Sequence, residues 1–368
     1  MDAVFHTLAG AVADERGLVH LGNPLGEQRS LARGTSIAPL ADRKVLAVSG
    51  EDRLSWLDSL TSQALTALAP GTSSELLVLD PHGHIEHAAS VIDDGVTAWL
   101  IVERSGAQAL ASWLTRMRFR LRVEVRDASD EYCVFGASRS GAQLVTAAEP
   151  AGVSLVWVDP WPTVSVGGWA YAVADPHPGS ARDWVEVIAT HGEAKRLADA
   201  AAAGDLEISG LAAADALRIA AWRPRWSMET DERTLPHEVD WLRTAVHLSK
   251  GCYRGQETVA KVHNLGHPPR RLVALQLDGS GSTLPTVGAD VLKDETVVGS
   301  ITSVALHYEE GPIALALVKR TTPIEEVLLV ETDNGAITAA QEIIVPPEAG
   351  ATAGVPRMPR LSRRARAT

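Results

Sequence analysis

Beyond Arg271 the chain holds only short β-type runs, at 272–277, 289–292, 296–304, 313–318 and 326–330, with Gly, Pro or Asp between them. Strands of that length and spacing suit a small antiparallel barrel or sandwich. Before about residue 240 strands alternate with helical periods instead. A chain that passes from one regime to the other reads as an α+β body carrying a β-barrel appendage. Its 368 residues leave room for two or three domains.

In the body, 22–26 is a turn, 45–49 a strand ended by Gly50, and 51–60 a helix with Leu54, Leu57 and Leu60 on one side. Trp56 on that helix reads as core. A strand at 76–79 leads into Asp80-Pro81-His82-Gly83-His84-Ile85-Glu86-His87. On extended backbone His82 and His84 share a face, and His87 points away from both and from Glu86. With no cysteine nearby, the segment reads as a polar β-turn with solvated imidazoles rather than a metal site. A hairpin follows at 90–92 and 96–102 around Asp94-Gly95, then a helix at 107–117. Arg116, Arg118, Arg120, Arg122 and Arg126 alternate with Phe119, Leu121 and Val123. That run reads as a half-exposed strand, contact with an anionic ligand being the alternative. Cys133, in an apolar strand at 132–135, reads as a core thiol. Helices are expected at 181–197, continuing to Gly204, and at 211–222, stopped by Pro224. From 346 on, Pro, Gly, Ala and five arginines read as a disordered basic tail.

A net charge of −12 opposes general binding to nucleic acid, which depends on neutralising phosphates. No run of 18 apolar residues marks a membrane span, and the N-terminus lacks the basic-then-apolar order of a signal peptide. Cys133 and Cys252 read as reduced thiols. A cytoplasmic protein with neither nucleic acid nor membrane as partner is expected.

Against that acidic background, 250–271 carries five Lys/Arg and one Glu. The segment opens with Lys250-Gly251-Cys252-Tyr253-Arg254-Gly255-Gln256-Glu257. Gly251 and Gly255 permit left-handed backbone or close approach. Lys250 and Arg254 flank the sulfur, and neighbouring cations favour a thiolate. Gln256 and Glu257 offer amide donors and a carboxylate to a polar ligand. Cys252 is thereby a nucleophile, a soft-metal ligand, a redox thiol or a small buried hydrophobe.

The octapeptide resembles the signature of the YgfZ folate-binding protein family, relatives of the glycine-cleavage T-protein, a tetrahydrofolate-dependent aminomethyltransferase. The preceding Asp231-Glu232-Arg233-Thr234-Leu235-Pro236-His237-Glu238 is similar to an acidic, Pro-x-Glu segment of the same superfamily. The resemblance implies a three-lobed ring, two α+β lobes and a C-terminal small β-barrel, around a central folate cleft. The lobes would be 1–50 with 127–245 (discontinuous, folate-binding) and the inserted 51–126. The motif loop and barrel would be 246–345, and the tail 346–368. It further implies tetrahydrofolate as cofactor and iron–sulfur proteins or their assembly factors as partners. Cys252 and Lys250 would be the working residues, Gly251, Tyr253, Arg254, Gly255, Gln256 and Glu257 the motif loop, and Asp231, Glu238, Arg218 and Trp222 the folate contacts, with no metal. Two positions depart from the aminomethyltransferase pattern. His87 stands where those enzymes carry an aspartate that acts on the folate, and Ala220, in Arg218-Ile219-Ala220, where a glutamate holds the pterin. The first implied function is an accessory factor in iron–sulfur cluster assembly or repair. The alternatives are a tetrahydrofolate-dependent one-carbon transferase or demethylase, and a thiol enzyme pairing Cys252 with His247 or His263.

Overall fold

The computed structural model describes residues 2–280 and 283–354. Two five-stranded sheets and a closed six-stranded barrel make up the molecule. The first sheet has the order Val156–Val158, Val185–Thr190, Tyr132–Ala137, Ser36–Pro39, Glu207–Ile208. The second runs Ser73–Leu79, Ile85–Asp93, Thr97–Glu103, Arg43–Ser49, Glu124–Asp127. The chain steps from the first to the second at 40–42, where Leu40 N–H donates to the Val134 carbonyl at 2.9 Å. It steps back where Ala128 N–H donates to Val45 C=O at 2.8 Å. Sheet membership therefore puts Arg43–Ser49 with the inserted lobe, several residues ahead of the expected boundary at 50. The sheets pack face to face on a core that includes Leu40, Val45, Trp99, Val134, Trp157 and Ile188. Helices cover the outer faces, Arg53–Leu60 and Arg104–Met117 on the second sheet and His191–Ala203 on the first.

Two expectations for the body fail for local reasons. The helix expected from 181 begins only at His191, and Val185–Thr190 is a strand paired with Tyr132–Ala137. Val185, Val187 and Ile188 are β-branched and suit a pleated, two-sided core better than a helix turn. The helix starts where Thr190 accepts the Glu193 N–H and ends at left-handed Gly204. The arginine-rich run is not a strand before Glu124. Its first part ends the helix Arg104–Met117, and residues 118–121 form a turn in which Phe119, at φ +45°, is 82% exposed.

The barrel closes because a sixth strand, Gly335–Ile343, pairs with both Leu328–Thr332 and Arg270–Leu277. Its sequence is small and polar, so it carries little hydrophobic signal. Barrel residues such as Leu275, Val291, Ile301 and Val330 form an inner core. The tail was expected to start at 346, but Ile344 and Val345 are fully buried. The N–H groups of Thr352 and Ala353 bond the carbonyls of His263 and Asn264 at 2.9 and 3.2 Å. Residues 346–354 thus belong to the fold, while the arginines of the expected tail lie outside the described residues. Among the described residues no helix is long and apolar enough to cross a membrane.

Candidate functional site

The octapeptide is a hinge of anchors rather than a basic patch. Lys250 is buried in the second lobe, where its ammonium donates to the carbonyls of Asp58, Thr61 and Gln63 and lies 3.4 Å from the Asp58 carboxylate. It caps the end of the helix Arg53–Leu60, as a cation at that end should. Burial pushes its pKa down, against the pull of Asp58. Tyr253 lies beneath the ammonium at 5.4 Å, buried in the core shared by body and barrel. Arg254 grips Glu86 through two hydrogen bonds of 2.7 and 3.2 Å. Arg270 spans Asp231 and Glu238, and Arg271 is wholly buried against the Thr322 carbonyl. Of the five cations in 250–271, only Lys261 is exposed without an ion pair among the described residues. The expected activation of Cys252 by Lys250 and Arg254 is thus not supported by their contacts, because each cation has another partner.

Gly255 supplies the close approach. At φ +82° it precedes the helix Gln256–Leu265, and a Cβ there would sit 2.5 Å from the Asp80 carbonyl. Gly83, at φ +85°, meets it from the other side, and a Cβ on it would sit 2.9 Å from Thr258. The motif and the 80–83 turn therefore lock together through two residues without side chains. Gln256 reaches the Lys250 carbonyl at 3.4 Å, and Glu257 is exposed. Gly251 has open space around it, and Cys252 is an exposed free thiol with no hydrogen-bond partner among the described residues. Neither imidazole is placed as its base. His247 lies under Gly167, while His263 is buried, accepting or donating to the Tyr171 hydroxyl at 3.0 Å with Trp169 against its ring.

The wall that Arg254 grips contains a β-bulge. Val78 pairs with His87 and Leu79 with Ile85, so Glu86 is the extra residue. A bulge breaks strict alternation and re-aims a side chain. Glu86 and His87, expected on opposite faces, consequently line one cavity of about 890 Å³. His87 packs on Trp226 with ring centroids 5.8 Å apart. Gly106 admits that indole, since a Cβ there would lie 2.8 Å from it. Burial lowers the His87 pKa, which Glu86 raises only in part. Trp113, Asp231 and Glu232 complete the wall. His84 sits 2.9 Å from Asp80, and among the described residues no group of three His, Cys, Asp or Glu could hold a metal.

Deeper in, between the sheets, Trp226 also borders a central cavity of about 80 Å³. That space takes a few waters and not a bicyclic ring. It is filled by buried ion pairs: Arg223 with Glu75 and Asp159, Arg182 with Asp159, and Arg225 with Glu103 and Asp42. Arg218 belongs to this layer, held by Glu229 at 3.0 Å and Ser303 at 2.8 Å. On the far side, Arg182 and Trp184 border a third cavity of about 280 Å³, which Ala220 lines. The two positions where the aminomethyltransferases carry carboxylates, His87 and Ala220, thus face different cavities with a charged layer between them.

The four residues expected to contact folate divide accordingly. Asp231 borders the large cavity, its carboxyl held well below the usual range mainly by Arg270. Arg218 faces the central layer. Glu238 is fully buried, accepting from the N–H groups of Leu235 and Arg270. Trp222, at φ +58°, is buried against His177 and lines none of these cavities. The wall residues that sequence reasoning missed are Glu86, hidden by the bulge, and Trp226, hidden in a helix of four residues.

No family model matches the chain. It is 27% identical over 296 residues to an aminomethyltransferase of Rippkaea orientalis, covering 76% of this chain and 78% of that one. It is 23% identical over 301 residues to the mitochondrial iron–sulfur cluster assembly factor IBA57 homolog of Mycosarcoma maydis, covering 78% and 68%. Its fold matches the glycine cleavage system aminomethyltransferase T from Bartonella henselae with a TM-score of 0.70 at 18% identity, over 94% of this chain and 96% of that one. With two sheets flanked by helices and a closed barrel, the chain has the fold of that aminomethyltransferase T and is similar in sequence both to aminomethyltransferases and to an iron–sulfur cluster assembly factor.

Proposed function

We propose that this protein is a cytoplasmic, tetrahydrofolate-binding accessory factor in the assembly or repair of iron–sulfur proteins, with Cys252 as its working thiol. The observation that carries the reading is an exposed cysteine on a loop clamped, through Arg254–Glu86 and Gly255–Gly83, to the wall of a ligand-sized cavity. At about 890 Å³ that cavity lies within the range of small-molecule sites. Its residues suit a folate: Trp113 and Trp226 offer flat apolar faces, and Glu86, Asp231 and Glu232 offer acceptors for ring N–H and amino groups. The central layer is too small for the ring. Lys250, Tyr253 and Arg254 position the loop, and Cys252 meets the client, whose cluster or thiol is the substrate. The similarity to an iron–sulfur assembly factor supports the client class, and the similarity to aminomethyltransferases supports the ligand.

The test is calorimetric titration with tetrahydrofolate, anaerobic and reduced, on wild type and Cys252→Ala. Equal binding by both is expected, with loss of client maturation only in the variant. Absence of binding by folded wild type would remove the ligand from the reading. One observation favours a second reading, a tetrahydrofolate-dependent one-carbon transferase or demethylase. The bulge brings Glu86 into the cavity beside His87 and so supplies a carboxylate. Arg254 already occupies that carboxylate with two hydrogen bonds, which disfavours it as a base. Turnover of a methylated amine with a folate acceptor, abolished in Glu86→Gln, would establish the second reading instead.

A further inference from the structure

Residues 159–184 contain no helix or strand beyond one short 3₁₀ helix, Pro178–Ala181. Irregular loops of that length are uncommon in a compact fold and usually carry a function. From Trp161 to Ala174 the loop has no charged residue, yet several of its apolar side chains face solvent. Val166 is 87% exposed, Val173 76%, Val164 46% and Trp169 43%. The backbone beneath them is firmly held. The N–H groups of Ser165 and Trp169 donate to the carbonyls of Arg243 and Leu242 at 2.9 and 3.1 Å. Tyr171 N–H donates to Asp240 at 2.6 Å. Leu248 N–H, shortly ahead of Cys252, donates to Gly167 C=O at 2.8 Å. An ordered, uncharged loop that holds its apolar side chains in water marks a docking surface.

The described chain stops beside it. The N–H groups of Thr352 and Ala353 bond the carbonyls of His263 and Asn264, and Trp169 packs on His263 with ring centroids 5.1 Å apart. The sequence after Gly354 continues Val355-Pro356-Arg357-Met358-Pro359-Arg360-Leu361, an apolar–Pro–Arg repeat closed by leucine. A period of three is that of polyproline II, which gathers Val355, Met358 and Leu361 on one ridge, apart from the arginines. Proline-rich segments of this kind dock on aromatic-bearing apolar surfaces because they lose little conformational entropy. At about 20 Å, the segment is long enough to run on from the helix end past Trp169.

We propose that residues 355–361 of this chain dock on the 164–173 loop, their apolar ridge against Val166, Trp169 and Val173. The loop offers no carboxylate, so Arg357 and Arg360 stay in water. Docked there, the segment closes to other proteins an apolar face that adjoins the Cys252 loop.

The test is limited trypsin digestion of the native protein. Cleavage after Arg357 and Arg360 is timed against cleavage of a synthetic peptide of residues 350–368. Cleavage of a docked segment follows the fraction that is undocked, and about tenfold protection is expected in wild type. Val166→Asp/Val173→Asp should lose that protection. Both positions are exposed, so its thermal unfolding should match wild type. Cleavage of wild type at the peptide's rate would overturn the docking. Protection that survives the double substitution would overturn the assignment to this loop. Protection that fades on dilution, with a dimer in sedimentation, would mean that a second copy supplies the segment and would overturn docking within one chain.

Discussion

Between the two sheets Arg223 and Glu75 meet at 2.5 Å with both side chains more than nine-tenths buried. Beside the motif Arg254 and Glu86 meet at 2.7 Å with about a third of each side chain in water. The chemistry is the same and the energetic meaning is not. Ions taken out of water recover their solvation only while fully partnered, so removing one partner of a buried pair is severe. A pair that water reaches contributes little and can open. The central layer is therefore scaffold, fixing the sheets relative to each other and closing the middle of the ring. The outer latch is the part of the arrangement that can open.

The comparison is broken or upheld first by its largest expected effect. Glu75 accepts from Arg223, from the Trp241 indole N–H at 2.9 Å and from the Thr244 hydroxyl at 2.6 Å. Glu75→Ala should destabilise the protein by about 3–5 kcal/mol in urea unfolding, and Arg254→Ala by no more than about 1 kcal/mol. Equal costs would erase the distinction. Next is the glycine contact. Gly255→Ala requires a left-handed alanine and a Cβ 2.5 Å from the Asp80 carbonyl, and should cost about 1–3 kcal/mol. The same variant should speed protease cleavage at 250–255. A neutral result would mean that the 80–83 turn yields freely.

A further effect depends on pH. Asp240 is fully buried, accepts the Tyr171 N–H at 2.6 Å, and has its cationic neighbour, Arg243, no closer than 3.7 Å. Burial pushes its pKa up to about 7, with the Tyr171 N–H and Arg243 pulling the other way. The folded state thus holds a proton that the unfolded chain releases near pH 4. The stability this adds is complete below pH 4 and is lost as pH rises through about 7. His237, fully buried, has the opposite sign. Burial lowers it to about 3, so its contribution is present above pH 6.5 and lost on acidification. Subtracting the stability–pH curve of Asp240→Asn from that of wild type isolates the first group. The difference should change by about 3–4 kcal/mol between pH 4 and 7.5, wild type losing more with rising pH. A flat difference would show that Asp240 is ionised throughout.

The regions also differ in how far they could be read from sequence. The switch from alternating elements to β-only runs gave the body and barrel because it follows from periodicity and turn residues, which are local. The Gly-x-x-x-Gly spacing and the charge reversal located the motif for the same reason. What escaped was set by partners distant in sequence. The cations of 250–271 read as one patch until Asp58, Glu86, Asp231 and Glu238 claimed them separately. Glu86 read as facing away from His87, because a bulge depends on the register with Leu76–Leu79, which no count along one strand contains. The strand at Val185–Thr190 looked helical beside an alanine-rich helix, until pairing with Tyr132–Ala137 decided it. Gly335–Ile343, small and polar, was fixed by the need to close the barrel.

Cys252 gives the smallest expected change in stability and the sharpest separation of roles. Its neighbours Lys250, Tyr253 and Arg254 are each committed to packing or pairing, whereas the sulfur is exposed and bonded to nothing among the described residues. A side chain that holds no contact can be removed at little cost, so Cys252→Ala should unfold within about 0.5 kcal/mol of wild type. Tyr253→Ala, one position on, empties a buried site and should cost about 3 kcal/mol or more. The thiol should also react with a maleimide in the native protein, whereas Cys133, buried beneath the Ala189 carbonyl, should react only on unfolding. If the native protein protects Cys252, or if Cys252→Ala costs as much as Tyr253→Ala, the sulfur is a packing element. If it is free and dispensable for folding, its presence at the end of so heavily anchored a loop has only the chemistry of the thiol to account for it.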